Sequence, residues 1–217
     1  VRNESVPGEL KSGIISTPGG ETILAAGATV SLIDSATPGV KVDITGAAGN
    51  ATNLGQITAE AGRIGIAGVI ARNSGTLNAS SVVNEGGRIF LKASQDAYVD
   101  GKGRIVTTGT KGGSVEVLGN KVTVTDNAEI DASGATGGGR ILVGGDYQGK
   151  NPEIQNASNS YFGPAARLTA DATEVGAGGT VIVWADDTTH AYGNISARGG
   201  ALGGDGGSVE TSGHRYL

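Results

Sequence analysis

The 217-residue chain contains no cysteine and no methionine, only five prolines, and 4% aromatic residues. Without cysteine there are no disulfides and no thiol chemistry. Without methionine, even at position 1, the chain is expected to be a processed form or an excised segment. No apolar run approaches the ~18 residues of a membrane-spanning helix, so no membrane insertion is expected. Sixteen basic residues against 21 acidic ones leave a net charge of −5. There is no basic cluster, which argues against nucleic acid as a partner. With so few aromatics, the interior has to be built from Val, Ile, Leu and Ala.

What the chain has in excess is glycine, 40 residues of it. Glycine does not recur at every third position, so a collagen helix is excluded. Short alternating apolar runs and modest net charge argue against disorder. The composition fits many short strands separated by tight turns.

Those strands repeat. Gly pairs begin at residues 86, 112, 138, 178 and 206, at intervals of 26, 26, 40 and 28 residues. Each pair is followed by one pattern: RIFL, SVEV, RILV, TVIV and SVET. A second motif recurs further on, as RIVTTG (104–109), EIDASG (129–134), RLTADA (167–172) and NISARG (194–199). A middle strand lies between them, clearest as AYV (97–99) and KVTV (121–124). Three short strands per repeat, each with period-2 alternation, predict a solenoid. Ile89, Val115, Ile141 and Val181 share one register, and Leu91, Val117, Val143 and Val183 another. Stacked coils turn these registers into aliphatic ladders inside a tube. A sandwich would need hairpin turns, and Asp100-Gly101 is the main hairpin signal. The expected fold is all-β: a right-handed single-stranded parallel β-helix of about eight or nine coils, forming a rod roughly 40 Å long. It is read as a single unit over 1–217, with less regular coils at 1–85 and Gly-Gly-marked coils at 86–217.

The 40-residue interval holds an insertion of about 14 residues within 145–164. If Ile141 and Val143 point inward, then Phe90, Leu142, Ile182 and Trp184 point outward. The insertion is therefore expected to fold back over an outer apolar stripe. Its alternative is an exposed loop. Trp184, Tyr161, Phe162 and Tyr147 are the candidate packing or ligand patch. Asn84, Asn120 and Asn127 are candidates for a ladder of stacked amides between coils.

Several segments are more specific than a generic Gly-rich repeat: GGETILAAGATVSL (19–32), TNLGQITAEAG (52–62), GGRILVGGDYQGKNP (138–152), LTADATEVGAGGTVIVW (168–184) and ISARGGALGGDGGSVETSG (195–213). In these the chain resembles the filamentous haemagglutinin-like exoproteins of the two-partner secretion pathway of Gram-negative bacteria. Val1-Arg2-Asn3-Glu4 followed by Ser12-Gly13-Ile14-Ile15 is similar to the end of that family's secretion domain. The Asn-Pro-Asn motifs of the domain's earlier part are absent, since Asn151-Pro152 precedes Glu153. The resemblance implies a fragment at or just after the end of the secretion domain. It also implies export through an outer-membrane transporter barrel that recognises the secretion domain, largely outside this fragment. The destination is the bacterial cell surface or the medium. The implied role is a structural or adhesive shaft serving adhesion, biofilm formation or host-factor binding, with a host receptor or polysaccharide as the unnamed ligand.

The enzymatic alternative is a carbohydrate-active β-helix, a polysaccharide lyase or glycoside hydrolase, which needs grouped carboxylates on an outer face. The best group is Asp186-Asp187 with Asp171 and Glu174, and turn chemistry accounts for it better than catalysis does. His190 and His214 fall in different coils with no metal-ligand spacing. No Gly-Gly nonapeptide calcium repeat, EF-hand or Walker motif is present. No catalytic, metal or cofactor residues are expected. Asn-x-Ser/Thr sequons occur at Asn3, Asn50, Asn78, Asn156 and Asn194, with Asn156 the most exposed candidate, although turn composition explains them.

Overall fold

The structure, a computed structural model, describes residues 1–4, 13–27, 29–35, 39–45 and 49–217. Ser12 and Ala28, within the segments that carry the family resemblance, lie outside the described residues. The chain winds through three faces. The first contains β3 (Glu21–Ala25), the first half of β8 (Arg63–Asn73), the first half of β10 (Arg88–Val99), β12 (Ser114–Leu118), β15 (Arg140–Val143), β18 (Thr180–Ala185) and β21 (Ser208–Gly213). The second contains β1 (Arg2–Asn3), β6 (Asn50–Asn53), the second halves of β8 and β10, β13 (Lys121–Val124), β16 (Asn159–Phe162) and β19 (Thr188–Ala191). The third contains β2 (Ile14–Ser16), β7 (Gln56–Thr58), β9 (Thr76–Asn78), β11 (Arg104–Val106), β14 (Glu129–Asp131), β17 (Arg167–Thr169) and β20 (Asn194–Ser196). Every neighbouring pair within a face is parallel, and parallel crossovers of this kind are right-handed. The molecule is a right-handed parallel β-helix.

Residue registers follow the repeats. Val115 pairs with Ile89 on one side and Ile141 on the other, and Ile141 with Val181. Leu91, Val117, Val143 and Val183 are likewise in register. All eight are fully buried in one continuous core.

Among the described residues each face holds seven strands, fewer than the eight or nine coils expected. Two segments leave the winding. β4 (Thr29–Ser35) and β5 (Gly39–Thr45) pair antiparallel as a separate two-stranded sheet. Residues 144–158 form the insertion between β15 and β16.

Glycine at the corner between the third and first faces sets how closely coils approach. A Cβ on Gly113 would lie 2.0 Å from the Gly87 carbonyl oxygen, and one on Gly139 would lie 2.1 Å from that of Gly113. The same approach recurs at Gly179 and Gly207, each 2.0 Å from the oxygen below. Within each coil, the N–H of this glycine donates to a small buried residue: Gly87 to Ala79 (2.7 Å), Gly113 to Thr107 (2.7 Å), Gly139 to Ala132 (2.8 Å).

An amide ladder does run inside the tube, but not through the expected residues. Asn3 Nδ2 donates to Asn53 Oδ1 (2.8 Å), and Asn53 Nδ2 to Asn73 Oδ1 (2.8 Å). The series ends when Asn73 Nδ2 donates to the Gly75 carbonyl (3.1 Å). In the next coils Val99, Val124 and Phe162 take the same inward position. Asn84, Asn120 and Asn127 are exposed at separate turns, because each lies just outside a strand, where no register aligns it with an equivalent.

Two outcomes test this packing. Gly113→Ala should destabilise the fold by about 1–3 kcal/mol or more, because backbone rather than a flexible side chain must move. Gly137→Ala, whose Cβ meets nothing closer than 3.8 Å, should be tolerated in the same thermal melts. Thr107 is fully buried and its Oγ1 has no hydrogen-bond partner. Thr107→Val keeps the shape and removes the orphaned hydroxyl, so stability should rise by about 1 kcal/mol; calorimetry showing a lower melting temperature contradicts this.

Candidate functional site

The outward column of the first face reads Gly65, Phe90, Glu116, Leu142, Ile182, Glu210. Its lower aromatic lies across Gly65, where a Cβ would meet Phe90 Cζ at 2.3 Å. Its upper members, Leu142 and Ile182, join Trp184 in a small apolar cluster apart from the main core, and Ile154 of the insertion packs on it. The insertion is thus a strap over the outer stripe.

Named contacts hold the strap down. Trp184 fits between its glycines: a Cβ on Gly145 would be 2.5 Å from Trp184 Cδ1, and one on Gly149 would be 2.7 Å from Nε1. The indole N–H donates to Asp186 Oδ1 (3.2 Å), which also accepts from Asn156 Nδ2 (3.0 Å). The Gln148 N–H donates to Glu210 Oε2 (3.1 Å), so the strap reaches the last strand of the face. At its start, buried Asp146 caps the 3-10 turn Tyr147–Gly149 and accepts from the Tyr147 N–H (2.7 Å), Asn151 Nδ2 (2.8 Å) and Arg140. Burial opposes ionisation of this carboxyl. The bonds from Arg140, Asn151 and Tyr147 outweigh that and hold its pKa below the usual range.

The four aromatics singled out from sequence do not form one patch. Trp184 is buried under the strap, whereas Tyr147, on the strap itself, is 57% exposed. Tyr161 and Phe162 belong to β16 rather than to the insertion, and strand alternation sends them to opposite faces. Phe162 is fully buried in the core, in register with Val124. Tyr161 faces outward and meets Tyr192, which the sequence reading left aside, and through it His190, which that reading weighed only as a metal ligand. The Tyr161 ring lies 6.0 Å from Tyr192 at 63°, and Tyr192 stacks on His190 at 5.9 Å and 9°. The signal was the same alternation: Tyr161 and His190 are register partners on adjacent strands.

The acidic group divides between corners. Asp171 follows the third face and accepts from Ser196 Oγ (2.6 Å) and the Arg198 N–H (2.7 Å). Asp186 and Asp187 follow the first face, where Asp186 binds the strap and Asp187 lies 3.7 Å from Arg215. Each serves a turn. Among the described residues no three His, Asp or Glu converge in a metal-holding group. Asn156 is half-buried, not the most exposed sequon: its Nδ2 is engaged by Gly149 O (2.9 Å) and Asp186, because it anchors the strap.

The single tryptophan reports on this assembly. Because the Asp146 carboxyl titrates below its ordinary value, its contribution is present above about pH 3.9 and is lost as pH falls through the folded pKa. Acid titration should red-shift Trp184 fluorescence before far-UV circular dichroism changes, and Asp146→Asn should show that shift at neutral pH. Fluorescence and circular dichroism changing together would contradict a separately held strap.

No protein-family model and no curated protein matches the sequence. Among solved structures, the crystal structure of the HMW1 secretion domain from Haemophilus influenzae is similar over 94% of this chain, with a TM-score of 0.82 and 34% sequence identity. This chain spans 55% of that one. It therefore has the fold of an exoprotein secretion domain, in agreement with the filamentous haemagglutinin-like, two-partner secretion character of its repeats.

Proposed function

We propose that this chain is an export and shaft module of a secreted exoprotein: it engages an outer-membrane two-partner transporter, crosses unfolded, and winds into coils at the cell surface or beyond it. The observation that carries this reading is the similarity to a secretion domain over nearly the whole chain. It supports placing transporter recognition within these coils themselves. Adhesion or host-factor binding is then a property of the exported rod and whatever it carries.

The architecture suits such a route. Each coil bonds only to its neighbours, so a chain emerging from one end can fold rung by rung without waiting for distant partners. With no cysteine, no disulfide closes before passage.

A cross-link between adjacent rungs tests this. Arg104 and Glu129 are register partners on the third face, joined by an exposed ion pair at 3.1 Å. Such a pair contributes little to stability, so replacing both with cysteine should leave the fold intact. In the parent exoprotein co-expressed with its transporter, the pair should block secretion when oxidised in the periplasm, and reductant should restore it. Efficient secretion of the already cross-linked form would overturn threading of an unfolded chain.

A further inference from the structure

The outer side of the second face differs from the other surfaces. Along its upper coils the outward residues are Lys121 and Thr123 on β13, Asn159 and Tyr161 on β16, and Thr188 and His190 on β19. Tyr192 follows β19 directly and is 60% exposed. Of the six strand residues only Lys121 carries a permanent charge, and none is aliphatic. One rung below Thr123 lies Tyr98, with the Arg72 guanidinium 5.7 Å from its ring. Tyr98 and Tyr161 thus sit on this sheet face, with Tyr192 at its edge and Tyr216 bridged to Thr188 on the rung above, four of the chain's five tyrosines in a protein with only 4% aromatics.

We propose that this face is a binding site for an uncharged glycan chain lying along the rod. Aromatic rings combined with hydroxyl and amide groups match a sugar, which has C–H faces to lay on rings and hydroxyls that need both donors and acceptors. The charges on this face offset one another, Lys121 standing in register with Asp96 and Arg72 bonded to Asp100, which complements a neutral ligand, and the overall charge of −5 disfavours an acidic one. Tyr98 and Tyr161 stand two rungs apart, about 9.6 Å, comparable with one disaccharide, with the short Thr123 between them. At the upper end Tyr161, Tyr192 and His190 brace one another, and Tyr192 Oη lies 3.4 Å from His190 Nδ1. Rings held in place lose little freedom on binding.

The site does not depend on the export reading, because it is read on the purified chain. The intact 217-residue protein is titrated with cellohexaose, an N-acetyllactosamine trimer and an oligogalacturonate, and binding is followed by saturation-transfer NMR and calorimetry. At least one neutral oligosaccharide should bind, and the oligogalacturonate should bind more weakly. Tyr192→Ala and Tyr161→Ala should each weaken neutral binding about tenfold or more with unchanged circular dichroism. Tyr147→Ala, on the strap, should leave it intact. No binding of either neutral probe at millimolar concentration, or equal binding in both face variants, overturns the proposal. So does loss of transporter-dependent secretion in Tyr192→Ala without sugar binding, which would assign the face to a protein partner.

Discussion

The whole rod depends on backbone meeting backbone at one corner. Where the third face turns into the first, a glycine in each coil sits so close to the carbonyl oxygen of the glycine below that no side-chain carbon fits between them. The N–H of that same glycine closes its own coil by donating to Ala79, Thr107, Ala132, Ala170 or Ala197. A single atom type thus fixes both the path of a coil and its spacing from the next. Register along the straight faces follows, because a corner that cannot slide leaves the strands no freedom to slip. Slippage by one residue would turn every aliphatic ladder outward.

With the corners fixed, the interior tolerates a change of chemistry along the axis. The second face begins with buried asparagines, Asn3, Asn53 and Asn73, each amide satisfied by the next and the last by backbone. It continues with valine and phenylalanine in the same position. Both solutions satisfy the rule that buried polar groups must be paired. Thr107 is the local exception, a hydroxyl in a column of alanines with no partner.

The outside is where the coils stop being equivalent. On the first face a glycine-hinged strap covers Leu142, Ile182 and Trp184 and reaches Glu210, tying three successive strands together by contacts that the ladder itself does not supply. On the second face nothing among the described residues covers the aromatic edge. One surface is closed by the strap and the other is open. The carboxylates that a hydrolytic β-helix would gather are instead spent at separate turns.

Repetition alone was enough to establish the coil, its three strands and the residues of its aliphatic ladders, because equivalent positions in a solenoid meet one another and the meeting is written in the spacing. Alternation likewise told which side chains of RILV and TVIV face outward. Three things were decided only in space. Residues 29–35 and 39–45 alternate as well as any coil, yet pair antiparallel with each other, since period-2 alternation says nothing about strand direction. The amide ladder chose asparagines at strand ends inside the tube over asparagines at turns, because only the former are aligned from rung to rung. Tyr161 and Phe162, adjacent in sequence, lie on opposite sides of the wall. The aromatic edge arises from β16 and β19, separated in the chain by a full coil, and only the winding brings them together.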